Sequence, residues 1–299
     1  MDDNVNQKSS IENQKWIEYR NKNGYSVKSV RVQNCHINHF KRWCMETGIT
    51  PETITYGEVL RFIDSERQRG MMNQSITRKI NSVRIYFDYL VSSGATGQNI
   101  IRRVKIRQSG KTVLPETLTT GQLENIYQNF ANLPHWEHRT KTAKELHKRN
   151  TVVLGLLVYQ GLTSDDTAKL ETVHINLAEG KIYVPSGRKR NARTLKLQAN
   201  QILSLKTYIE ECAPHPYLFP TRKHSDMISK IVAQAKKHNP EIIDSRHIRT
   251  SVIMNWLKSN RIRQVQYMAG HKSIRSTEQY RSQDLTDLSR QLELFHPMQ

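Results

Sequence analysis

The chain has 299 residues, enough for two domains with separate cores, and carries a net charge of +19 with an isoelectric point near 9.9. The excess is shared: residues 1–113 hold 19 Lys and Arg against 10 Asp and Glu, and residues 114–299 hold 27 against 17. Two basic halves imply one polyanion gripped from both sides, such as a nucleic-acid duplex. Cys35, Cys44 and Cys212 form no Cys-x-x-Cys pair and no even set, which excludes a disulfide scaffold and fits reduced thiols in a cytosolic protein. The polar first twenty residues exclude a signal peptide, and no apolar run approaches the ~18 residues needed to span a bilayer.

Residues 1–25 are polar apart from Trp16-Ile17 and Tyr19, and a short flexible arm or leading helix is expected there. From Ser26 to Gly48 the residues Val30, Cys35, Ile37, Phe40 and Trp43 recur at helical spacing. Thr55 caps a second helix, with Val59, Leu60, Phe62 and Ile63, that stops at Arg69-Gly70. A third starts at Ser75. Its apolar face holds Ile76, Ile80, Val83 and Phe87; its polar face, with Thr77, Arg78, Lys79, Asn81 and Arg84, is the expected DNA-facing surface of the first lobe. Residues 101–115 include Arg102, Arg103, Lys105 and Gly110 and end at Pro115, as a linker crossing a phosphate backbone would.

In the second lobe Thr119 or Thr120 caps the next helix. His135-Trp136-Glu137-His138 is not a metal site, because nothing at helical spacing supplies the remaining ligands. Residues 150–162 are strongly apolar and predict a buried helix ending at Gly161. Lys181–Pro185 and Arg193–Leu197 alternate with period two on either side of a Gly/Asn turn, which predicts a β-hairpin. Arg188, Lys189 and Arg190 at its tip are placed to reach a DNA groove. Further helices follow around Ile202 and from Ser225, and Leu285, Leu288, Leu292 and Phe295 form a C-terminal apolar stripe that needs a partner.

Chemistry concentrates in the last fifth. Arg246-His247-Ile248-Arg249 opens a helix, Gly270-His271 makes a turn, and Tyr280 stands nine residues beyond that histidine. A phosphodiester repels nucleophiles, so attack on it needs guanidinium groups that grip its oxygens more strongly as charge builds. A tyrosine hydroxyl, with a pKa near ~10, needs that field before it attacks.

Arg249, Gly270-His271 and Tyr280 resemble the second conserved box of the tyrosine recombinase, or phage integrase, family, and residues 26–97 resemble its small helical core-binding domain. The resemblance runs from about residue 26 to 296. It implies a mainly α fold with a small β-hairpin or sheet: an arm over 1–25, a helical SAM-like core-binding domain over 26–100, a basic linker over 101–115, and a catalytic domain with a tail helix over 116–299. It further implies a site-specific recombinase that cuts and rejoins DNA through a 3′-phosphotyrosyl intermediate, without metal or nucleotide cofactor. Its partners would be duplex recombination sites and copies of itself in a tetramer, in the cytoplasm of a bacterium and encoded there or on a phage, plasmid or other mobile element.

Within that resemblance Arg249 matches the second active-site arginine, His271 the later histidine and Tyr280 the nucleophile, while Arg188 or Lys189 takes the place of the general acid. Two positions depart. After Gly161-Leu162 the family's first arginine is replaced by Thr163, although an acidic residue remains at Asp166. Three residues before Arg249 stands Arg246 rather than histidine, with His247 one place later. Arg246 is the first candidate to supply the missing guanidinium, followed by Arg188 and Arg149. The rival reading is a catalytically weakened paralogue acting as a DNA-binding accessory or regulatory protein. A two-metal nuclease is disfavoured, because Asp165 and Asp166 are neighbours on a helix and point to different sides.

Overall fold

The computed structural model describes residues 15–107, 116–133 and 140–281, in two units divided between Thr112 and Val113. His135–His138, most of the linker and the tail stripe from Leu285 lie outside the described residues.

In the first unit, local signals set the helix starts. Ser26 accepts a hydrogen bond from Ser29 N and opens α1 (Val27–Glu46). Thr55 and Glu58 form a reciprocal capping box on α2 (Tyr56–Gln68). α3 (Asn73–Ser92) starts two residues before Ser75, with Met72 as its extended N-cap. Phe40, Phe62 and Phe87, one from each helix, meet edge to face at 5.1–6.1 Å and centre the core.

Of the two alternatives for the N-terminal stretch, the leading helix is what the structure holds: residues 15–22 are helical, and Trp16 is buried against Tyr86 and Tyr89, so this stretch belongs to the core. Two other expectations change here. Ile101 and Val104 are likewise buried in that core, so the stretch read as linker begins inside the first unit. Lys79 is only 8 % exposed, and its ammonium is paired with the buried carboxylate of Glu66 rather than turned outward to DNA. Burial alone would raise the Glu66 pKa, but hydrogen bonds from Lys79 and His39 hold it below the usual carboxylate range.

The second unit is wrapped around a helix that is apolar on every side. α4 (Thr120–Ala131) is capped by a Thr119–Gln122 box. The C-terminal half of α5 (Lys141–Gln160) buries Val152, Val153, Leu154, Leu156, Leu157 and Val158, so it needs partners all round. It receives them from α4, α7 (Ala199–Cys212), α8 (His224–His238) and α9 (Ser245–Ser259). After the short α6 (Ser164–Thr167) comes a three-stranded antiparallel sheet: β1 (Ile175–Asn176), β2 (Lys181–Val184) and β3 (Arg193–Lys196). β2 and β3 are the expected hairpin, paired Ile182 to Leu195 and Val184 to Arg193. β1 is two residues long and offers no alternation to read. α10 (Ile262–Ala269) and a helix over residues 275–281 complete the described chain. The architecture is mainly α with a small sheet. No described helix is long and apolar enough to cross a membrane.

Candidate active site

The site is assembled at the first turn of α9. Asp244 caps that helix, accepting from the backbone N–H groups of Arg246 (2.9 Å) and His247 (2.8 Å). Successive turns then present His247, Ser251 and Asn255 along one stripe. His247 Nε2 donates to Glu116 O (2.7 Å), Ser251 Oγ accepts from Leu118 N (2.9 Å), and Asn255 Nδ2 donates to Leu118 O (2.9 Å). His247 Nδ1 in turn accepts from Ile243 N (3.3 Å). The two ring nitrogens of His247 are therefore committed to the backbone, one at Glu116 and the other at Ile243, and the residue is buried outside the cleft; its expected catalytic place is not where the structure puts it.

Arg249, one turn into α9, points inward and is 8 % exposed. Its guanidinium donates to Gly161 O and to Ala269 O (2.8 Å), so it ties the end of α5 to the end of α10. Burial first, and then the charge of Arg190, lower its pKa to about 10, which leaves it cationic at neutral pH. Gly161 closes α5 in the left-handed conformation (φ 56°), releasing the chain into Leu162 and Thr163.

Asp166 is the hub of the next layer. Its carboxylate accepts from Thr163 N (3.0 Å), Thr163 Oγ1 (2.7 Å) and Arg193 Nη1 (3.3 Å). Burial would raise its pKa, but the charges of Arg193 and Arg190 outweigh that and hold it below the usual carboxylate range. Arg193 is 1 % exposed and Asp166 3 %, so this is an interior ion pair. Arg193 was missed as a site residue in the sequence. The signal was present: strand alternation puts it on the same inward face as Leu195, where a charge requires a buried partner.

The hairpin loop then folds onto the turn after α10. Asn191 N donates to Gly270 O (3.0 Å), and Arg190 and His271 form an antiparallel bridge. Gly270 has φ 69°, and a Cβ there would lie 2.6 Å from Arg193 Nη1, so both conformation and space demand glycine. His271 Nδ1 and Thr277 Oγ1 are 2.9 Å apart, and His271 Nε2 lies 3.3 Å from Arg249 Nη2. A guanidinium has only donors, so Nε2 accepts and the ring proton sits on Nδ1, donating to Thr277. Burial and then the charges of Arg249, Arg190 and Arg193 push the His271 pKa down to about 4, so the ring is neutral at pH 7. The ring of Tyr280 stacks parallel to that of His271, with centroids 6.0 Å apart.

These elements enclose a cleft of about 570 Å³. Tyr280, Arg249, Arg246, Lys189, Arg190 and Thr163 are among its lining residues. Arg246 is exposed, at the first turn of α9. Arg188 is exposed and Arg149 hydrogen-bonds Asn150 Oδ1 (2.9 Å); neither lines the cleft. In the first unit Arg78, Arg103 and Lys105 are exposed, Arg102 pairs with Asp88 (2.9 Å), and Arg84 is turned back onto Val104 O (3.2 Å). Of the cations expected on the DNA-facing surface there, Lys79 is buried in an ion pair and Arg84 is held on the Val104 carbonyl, while Arg78 stays exposed.

Several known proteins are similar along most of the chain. The tyrosine recombinase XerD of Rickettsia prowazekii is 24% identical over 283 residues, covering 87% of this chain and 88% of its own. The TnP I resolvase of Bacillus thuringiensis is 22% identical over 245 residues, covering 79% and 82%. The fold is shared with the Tn1549 transposon integrase in complex with circular intermediate DNA (TM-score 0.66, 12% identity, 89% of this chain and 94% of that one). It is also shared with a lambda integrase dimer bound to a COC′ core site (TM-score 0.63, 17% identity, 92% and 94%). Residues 7–94 match the phage integrase N-terminal SAM-like domain, and residues 116–286 match the phage integrase family. The chain belongs to the phage integrase family, the tyrosine recombinases.

Proposed function

We propose that this protein is a site-specific DNA recombinase that breaks and rejoins duplex DNA through Tyr280. The observation that carries the reading is the convergence of Tyr280, Arg249, Arg246 and Lys189 on one basic cleft, with His271 stacked on the tyrosine ring. Tyr280 Oη attacks the scissile phosphorus and gives up its proton to solvent in the cleft. The bond from phosphorus to the 5′-oxygen breaks, and that oxygen takes a proton from Lys189. The product is a 3′-phosphotyrosyl ester that conserves the bond energy; attack by another 5′-hydroxyl reverses the step and rejoins the strands. An incoming phosphodiester adds negative charge beside His271, which favours the protonated ring and lets Nε2 donate to a non-bridging oxygen. Between them, Arg249 and His271 hold oxygens whose charge grows in the transition state.

The relatives named above are recombinases, a resolvase and integrases, two of them solved on DNA, which supports recombination sites in duplex DNA as the substrate. Assembly into a tetramer on paired sites follows from a reaction that exchanges strands between two duplexes. A second reading, an accessory DNA-binding paralogue, is favoured by Thr163 standing where a guanidinium is expected. Tyr280→Phe separates the two. For a recombinase it abolishes covalent attachment to a nicked duplex site while binding stays near the wild-type value, since one hydroxyl is lost. For an accessory protein the wild type itself forms no adduct.

A further inference from the structure

We infer that Arg190 supplies the guanidinium that the chain lacks at position 163, reaching the cleft from the hairpin loop instead of from the turn after α5. The inference rests on the recombinase reading and concerns how a phosphate is held without the expected arginine.

Arg190 Nη1 donates to Thr163 Oγ1 at 2.8 Å, so the guanidinium is anchored on the side chain that replaces the arginine. Thr163 Oγ1 passes its own proton toward Asp166 Oδ2 (2.7 Å), and that oxygen is 3.9 Å from Arg190 Nη1. The backbone of Arg190 is fixed on two sides. Its carbonyl accepts from Gly187 N (2.8 Å), and it bridges to His271 across the Gly270 turn. Arg190 therefore arrives pre-positioned, with no side-chain search left to make when a phosphate binds.

A count of charges points the same way. Three guanidiniums, those of Arg190, Arg193 and Arg249, are gathered near the single carboxylate of Asp166. The side chain of Arg193 is fully buried and paired with Asp166, so those two charges cancel. Arg190 and Arg249 remain as two uncompensated guanidiniums lining the cleft beside Tyr280. The Arg190 side chain keeps 20 % of its surface exposed and borders the cleft, so part of its guanidinium is open to an incoming anion. Arg246 also lines the cleft, but it is exposed, and Arg188 and Arg149 do not line it. Of the three candidates expected from sequence, Arg246 alone lines the cleft, and Arg190, which was not among them, is here placed ahead of it. Arg190, expected to contact a DNA groove, is placed at the reacting phosphate.

The test uses the full chain and a nicked duplex selected from a random-sequence pool by its binding. Two quantities are read for each variant: the single-turnover rate of adduct formation at saturating protein, and the slope of log affinity against log salt. Arg190→Ala and Arg190→Gln are expected to slow adduct formation by about a hundredfold and to reduce the salt slope by about 0.9, the loss of one phosphate contact. Arg190→Gln keeps a donor for Thr163, so a defect shared by both variants is not one of folding. Thr163→Arg in the Arg190→Ala background is expected to restore at least tenfold. A rate within threefold of wild type in both Arg190 variants overturns the inference, as does an unchanged salt slope. A wild-type protein that forms no adduct refutes the recombinase reading instead, and the salt slope then still decides whether Arg190 holds a phosphate.

Discussion

Replacing Arg193 by methionine tests whether the interior ion pair holds the site together. Arg193 is 1 % exposed and Asp166 3 %, and their side chains meet at 3.3 Å. Methionine fills much of the arginine's volume but leaves the Asp166 carboxylate buried, with Arg190 3.9 Å away as its remaining cationic neighbour. Removing one partner of a buried pair costs about 3–5 kcal/mol, because the other charge stays out of water. The two units have separate cores, so urea denaturation followed by hydrogen exchange should show the transition of residues 113–299 moving alone. Arg193→Met/Asp166→Leu removes both charges and should recover part of the loss, with a coupling energy above about 1 kcal/mol. A single-mutant loss below about 1 kcal/mol, or a matching shift in the first unit, would refute the reasoning.

Three further outcomes follow from the same structure. Lys79→Ala should destabilise the first unit by about 3 kcal/mol, by leaving Glu66 buried without its ammonium. It should leave the salt slope of DNA binding unchanged, a result checked by denaturation and gel-shift titration. Gly270→Ala should cost about 1–2 kcal/mol for the left-handed backbone alone, and more as the Cβ displaces Arg193, read as a fall in the melting temperature. His271 has a folded pKa of about 4, below the ordinary histidine value near 6.5, so the unfolded chain binds its proton more readily. Its contribution is full above about pH 6.5 and is lost as pH falls toward 4. The decline in melting temperature over that window should flatten in His271→Gln.

The parts of the fold that read well in the sequence are those where local chemistry decides. The Thr55 and Thr119 capping boxes, the Gly161 stop and the β2–β3 alternation each sit where the residues alone put them. The spacing of Arg249, Gly270-His271 and Tyr280 was legible for the same reason, since a helix start, a glycine turn and one further helix fix it. What stayed hidden depends on pairing across long separations. Lys79 looked like a surface cation because its partner, Glu66, is on another helix. His247 looked available because its acceptor, Glu116 O, lies 131 residues earlier. Arg190 looked like a groove contact because nothing local says that the hairpin loop folds onto Gly270 and Thr163.

The most direct test of the central claim is the identity of the covalently modified residue. The protein is incubated with the selected nicked duplex, denatured, and digested with nuclease and trypsin. Cleavage after Arg275 and Arg281 releases Ser276–Arg281, a peptide in which Tyr280 is the sole tyrosine. Mass spectrometry should find that peptide carrying a 3′-linked nucleotide in the wild type and unmodified in Tyr280→Phe. A duplex bound tightly with no nucleotide on any peptide, or a nucleotide on a different residue, would contradict the account.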